Sequence, residues 1–129
     1  MTVEEGTVVI QNSIIQDLQS QEGQGIQVEV TGEVAATGTT IRRFCNGLFV
    51  RGKATLGKGC SITGCPESGI YAWKQGGDPY PAVVTVEEGA GLVCEGNNPS
   101  SNRREGDYLA RDGATITGVS EEKIVRADE

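Results

Sequence analysis

The sequence predicts an all-β chain: one β-solenoid domain over residues 1–129, of about five rungs with a period of about 22 residues and two loop insertions. Three observations carry this. Gly25-Ile26-Gln27-Val28, Gly47-Leu48-Phe49-Val50 and Gly69-Ile70-Tyr71-Ala72 recur at intervals of 22 residues. The apolar pulses are short, alternating and rich in β-branched residues, and each ends in glycine or a polar corner, which is the pattern of strands. Nineteen glycines without a Gly-X-Y period suit tight corners rather than collagen.

Each rung reads as three strands and three corners. Residues 1–6 form a polar lead-in. Rung one is Thr7-Val8-Val9-Ile10, then Ser13-Ile14-Ile15, then Gly25-Ile26-Gln27-Val28, with a helical turn expected at Asp17-Leu18-Gln19. Rung two is Glu33-Val34-Ala35-Ala36, Thr40-Ile41-Arg42 and Gly47 to Val50; Val34 and Leu56, 22 apart, mark the step to the next rung. Rung three is Ala54-Thr55-Leu56, Ser61-Ile62-Thr63 and Gly69 to Trp73. Rung four is Val83-Val84-Thr85-Val86, Leu92-Val93 and Asp107-Tyr108-Leu109-Ala110. Ala114-Thr115-Ile116-Thr117 opens a fifth, and the tail Glu121-Glu122-Lys123-Ile124-Val125-Arg126 can add a strand. The insertions are residues 74–81 and 95–105, rich in Gly, Pro, Asn and Ser. They flank the same sheet, one on each side.

Stacked rungs lie about 4.8 Å apart and share backbone hydrogen bonds. The period then sets the two faces of each strand, because side chains alternate. Ile26, Leu48 and Ile70 point inward, as do Val28, Val50 and Ala72. Gln27, Phe49 and Tyr71 point outward, with Glu29, Arg51 and Trp73 beside them. In rung four Tyr108 and Ala110 are the inward pair, because the other register would bury Asp107 uncompensated.

The order of apolar pair, short turn, Ile or Leu, variable turn, Gly and apolar-x-apolar over residues 32–51, 53–73 and 82–111 resembles the right-handed parallel β-helix, the pectate-lyase-like fold. The resemblance implies that fold over residues 7–117. Its functions range over lyases, hydrolases, epimerases, viral spikes, adhesins and adaptor modules, so it names no activity. Lyases of this fold use clustered Asp for calcium with an Arg or Lys base, and hydrolases use a group of Asp. Here the third strands supply only Asp107 and Asp112, with Arg51 and Arg111.

Composition narrows the function further. A net charge of −7 disfavours nucleic acid and anionic membrane surfaces as partners. No histidine is present, which removes the commonest general base and metal ligand. No stretch approaches the roughly 20 apolar residues of a membrane span. The acidic start, Met1-Thr2-Val3-Glu4-Glu5, lacks the apolar segment of a secretory signal. That leaves an intracellular chain or a mature or trimmed form, and the compartment open. No cofactor, metal site or catalytic residue is expected.

The candidate binding patch is Phe49, Arg51, Tyr71, Trp73 and Arg111, walled by the two insertions. Grouped outward aromatics and arginines are the residue types of binding hot spots. The alternative is that the loops fold over them as a satellite core. Cys45, Cys65 and Cys94 are placed in one corner of successive rungs. In an oxidising compartment Cys65 and Cys94 are a candidate disulfide; otherwise they are small buried thiols, and Cys60, aligned with Thr39, is core. Threonine triplets such as Thr115-Ile116-Thr117 are too interrupted for an ice-binding ladder, and Gly57-Lys58-Gly59 lacks the helix of a phosphate loop.

The expected function is a non-enzymatic structural or protein-binding module, a component of a larger assembly. Its partners are another protein or a second copy through the end rungs. The rival is a carbohydrate-binding or carbohydrate-active protein, lyase- or hydrolase-like, with the aromatics as a stacking platform. Three or more outward carboxylates near Asp107 would favour the enzyme.

Overall fold

The computed structural model describes residues 1–17, 23–97 and 107–127, and these residues form thirteen strands. They are β1 (Thr2–Gln11), β2 (Ile14–Gln16), β3 (Gln24–Thr37), β4 (Thr40–Arg42), β5 (Asn46–Val50), β6 (Lys53–Leu56) and β7 (Ser61–Thr63). After them come β8 (Ser68–Trp73), β9 (Val83–Val86), β10 (Val93–Glu95), β11 (Tyr108–Arg111), β12 (Thr115–Thr117) and β13 (Ile124–Ala127). A 3₁₀ turn, Glu121–Lys123, precedes β13.

All the strand pairs of the described residues are parallel. A nine-stranded sheet in the order β12-β9-β6-β3-β5-β8-β11-β13, with β1 also on β3, wraps nearly closed around the core. A four-stranded sheet, β10-β7-β4-β2, faces it. The larger sheet is long because β3 belongs to two ladders. Ile26 and Val28 pair with Leu48 and Val50 of β5, while Val34 and Ala36 pair with Ala54 and Leu56 of β6.

The interior follows the alternation of each strand. Leu48 lies between Ile26 and Ile70, and Tyr108 and Ile124 continue that ladder. Ile41 and Ile62 oppose each other in the small sheet and face the same core. Ile26, Leu48, Ile62 and Ile70 have no exposed surface. Each such side chain contributes roughly 1.5–3 kcal/mol by leaving water. The recurring glycines are steric requirements of this closure. A Cβ on Gly47 would stand 2.5 Å from Ile62 Cγ2 and 2.8 Å from the Gly69 carbonyl oxygen. On Gly69 it would meet Cys94 Sγ at 2.7 Å. The two sheets approach so closely there that only hydrogen fits.

Several expectations need correction. Residues 1–6 are not a lead-in: β1 starts at Thr2, and Val3 is buried opposite Val28. Ladder pairing, with the Gln27 amide donating to the Met1 carbonyl at 2.8 Å, holds this segment without apolar alternation. The Val34–Leu56 step is not a ladder step, because Val34 opposes Ala54, 20 residues on. The third strand of rung one and the first of rung two are one continuous β3. In rung four the small-sheet strand is Val93–Glu95 rather than Leu92–Val93, so Cys94 opposes Ile62. Cys94 is therefore not in the corner that holds Cys65; Asn97 is, and its Oδ1 accepts from the Cys65 amide at 2.9 Å. The inward placement of Tyr108 and Ala110 matches their pairing with Ile70 and Ala72. Of the expected helical turn at Asp17-Leu18-Gln19, residues 18 and 19 lie outside the described residues, as do residues 98–105 of the insertion expected at 95–105.

Candidate functional site

The outward face of β5, β8 and β11 carries the aromatic residues. Phe49 and Leu109 both oppose Tyr71, and Arg111 opposes Trp73. Ring centroids are 5.0 Å apart for Phe49–Tyr71, 6.0 Å for Tyr71–Trp73 and 6.3 Å for Phe49–Trp73. All three rings are half-buried and lie outside the central core cluster. Their planes are tilted by 50°, 33° and 81°, which is an interlocked group rather than a flat platform.

Arg111 holds the group from its rim, and Arg51 ties the neighbouring insertion. Arg111 Nη1 donates to Tyr71 Oη at 3.0 Å, and its guanidinium carbon lies 5.0 Å from the centre of the Trp73 ring. Trp73 Nε1 donates to Asp112 Oδ2 at 3.0 Å. Asp112 turns in the left-handed region, φ 55°, which brings its carboxylate back towards the indole. Arg51 bridges two carboxylates, Glu29 at 3.1 Å and Asp78 at 2.7 Å. A second bond from Arg51 Nε to Asp78 Oδ2, 3.3 Å, makes the Asp78 contact a fork.

Asp78 lies in the insertion at residues 74–81 and is buried. Its Oδ2 also accepts from the Gln75 amide at 3.0 Å, and its own amide donates to the Gln75 carbonyl. The hydrogen bond from Arg51 holds the Asp78 carboxyl below its ordinary range, and burial opposes that only in part. The same bond raises the Arg51 pKa, so the guanidinium stays charged. This insertion is thus tied down over the Arg51 end of the patch.

The structure brings Phe49, Arg51, Tyr71, Trp73 and Arg111 to one face. Sequence reasoning missed Asp78, and it named Asp112 without its bond to Trp73; both sit in corners without periodicity. The available signal was that two outward arginines on half-buried strands need anionic partners. Leu109, which alternation with inward Tyr108 and Ala110 places on the outward face, is nevertheless buried.

The thiols form a separate group. Cys45, Cys60, Cys65 and Cys94 are thiols rather than disulfide halves. Burial pushes the Cys94 thiol up to about 12, with the nearby Asp107 carboxylate adding to it, and burial also raises Cys65. Asn97 binds this corner together, its Nδ2 donating to Asp107 Oδ1 at 2.9 Å and to the Ile62 carbonyl at 3.2 Å. Thiols so protonated are poor nucleophiles.

Among the described residues no group of three or more His, Cys, Asp or Glu could hold a metal ion, and no helix is long and apolar enough to cross a membrane. Two concavities are lined by residues other than those of the patch. One of about 550 Å³ opens beside Leu92, Tyr108 and Val119, and one of about 390 Å³ lies between Val30, Lys53 and Tyr80. Comparison with protein-family models, with curated proteins and with solved structures finds no match.

Proposed function

We propose that the chain is a non-enzymatic, protein-binding module, built as a right-handed parallel β-helix of about five rungs and used within a larger assembly. The steps of 22 residues from Ile26 to Leu48 to Ile70 support the coil. The observation that carries the function is the outward cluster of Phe49, Tyr71 and Trp73, held by Arg111 and flanked by the Arg51–Asp78 pair that anchors the neighbouring insertion. Rigid aromatics and arginines lose little freedom on binding, so such groups dominate protein interfaces.

A sugar platform fits less well. Pyranose stacking needs an open ring face, and here the Trp73 ring has the Arg111 guanidinium 5.0 Å from its centre. The carboxylates nearest the patch are engaged: Glu29 and Asp78 by Arg51, and Asp112 by Trp73.

The test is co-purification from the native source, repeated with the Tyr71→Ala/Trp73→Ala variant. A protein that co-elutes with the natural chain and is lost with the variant supports the reading. Co-elution of polysaccharide that ignores added protein competitor overturns it.

A further inference from the structure

The three columns of strands do not end level. Above β9 the large sheet continues with β12, and above β11 it continues with β13. Above β10 the small sheet has no further strand among the described residues. The chain instead runs from β12 through residues 118–120 and the 3₁₀ turn directly to β13. The cavity of about 550 Å³ lies beside this position, between the corner that leads into β10 and residues 118–123; Leu92, Tyr108 and Val119 line it on the apolar side, with Glu87, Glu88 and Lys123 also in its wall. Its volume falls within the roughly 300–1,000 Å³ of ligand pockets.

The neighbouring strand bears the marks of a missing partner. Inward Ile41 and Ile62 are buried in the small sheet, but Cys94, next in that ladder, is only half-buried. Val93, on its outward side, is 43% exposed. The Val93 amide donates back to the Cys60 carbonyl at 3.2 Å. In a parallel ladder successive residues bond to opposite sides, so the Cys94 amide and carbonyl face the open edge.

The geometry points to a docking site for an extended peptide that adds to β10 as a parallel strand, with an aliphatic residue inward over Cys94 and basic residues flanking it. Backbone bonds to Cys94 supply the affinity of strand addition. Two carboxylates against one ammonium in the wall, on a chain of net charge −7, select the basic flanks. A second copy of this chain does not fit the slot. Its β2 is preceded at the same level by its own β1, and β12 already occupies the place that β1 would take.

This site is separate from the aromatic face and stands or falls independently of it. The probe is a short, end-capped peptide of alternating lysine and isoleucine, titrated by fluorescence anisotropy against the full chain. Saturable binding is expected, with new exchange protection at the Cys94 amide. Isoleucine–glutamate and backbone N-methylated peptides should bind at least ~10-fold more weakly, as should the Glu87→Lys/Glu88→Lys variant. The Tyr71→Ala/Trp73→Ala variant should bind the peptide unchanged, which separates this site from the patch. Equal binding of the N-methylated peptide, protection confined to β8, or no saturable binding would each overturn the proposal. So would a concentration-dependent dimer that protects Cys94 without peptide.

Discussion

The outward faces of the two sheets share one backbone plan and differ in what they carry. On the large sheet, the ladder Gln27, Phe49, Tyr71, Leu109 and the residues beside it are knitted by rings, arginines and carboxylates. On the small sheet, the equivalent ladder is Ile14, Thr40, Ser61 and Val93, with Gln16, Arg42, Thr63 and Glu95 beside it. Its strands are only three residues long, and an outward side-chain bond there runs from Arg42 Nε to Gln16 Oε1 at 2.5 Å. Inward, both sheets bury aliphatic side chains of the same kind. Folding therefore requires little of the outward positions, and the clustering on one face asks for a reason beyond folding.

That contrast is sharpened first in the core. Ile70→Ala should cost about 2–5 kcal/mol, since the ladder on either side cannot collapse into the space. Ile15→Ala, on the half-buried end strand β2, should cost about half as much or less. Urea denaturation midpoints give both values, and equal costs would contradict the register. Next in size, Arg51→Ala leaves Asp78 buried without its partner and should cost about 1–3 kcal/mol. An exposed substitution on the small sheet, Arg42→Ala, should stay within about 0.5 kcal/mol in the same assay.

The pH dependence separates the faces again. The Asp78 carboxyl titrates lower in the folded chain than in the unfolded one. Its contribution is present above the unfolded value of about 3.9 and is lost as pH falls through the lower folded value. Thermal midpoints taken from pH 5 down to pH 2 should therefore fall more steeply for the natural chain than for Asp78→Asn. Parallel profiles would show that the Arg51–Asp78 contact carries no stability. A smaller effect is expected at the thiols. With Cys94 pushed up to about 12, its alkylation at pH 8 should be at least ~100-fold slower in the folded chain than in urea. Mass mapping of iodoacetamide adducts reads this directly.

The repeat was legible where steric need and periodicity coincide. Gly25, Gly47 and Gly69 recur because a Cβ would strike the neighbouring strands, and that made the ladder of Ile26, Leu48 and Ile70 readable. The outward placement of Phe49, Tyr71 and Trp73 followed by alternation alone. Legibility failed where pairing has no side-chain signature. Val3 is buried through backbone bonds in a segment whose side chains are mostly polar. The register of β10 was misplaced by one residue because Leu92, Val93 and Cys94 are all apolar and none announces which faces in. The outward arginines called for anionic partners, but which corner carboxylates answer them, Asp78 for Arg51, is decided in three dimensions only.

The central claim is that the aromatic face serves binding rather than covering the core. Its most direct test is a single denaturation curve of the Tyr71→Ala/Trp73→Ala variant, read beside retention of the co-purifying protein. The expected result is a cooperative transition with dispersed amide resonances, and a partner affinity reduced by about 2 kcal/mol or more for each residue replaced. A variant that is unfolded in buffer, or one that folds and still holds the partner as tightly as the natural chain, would contradict it.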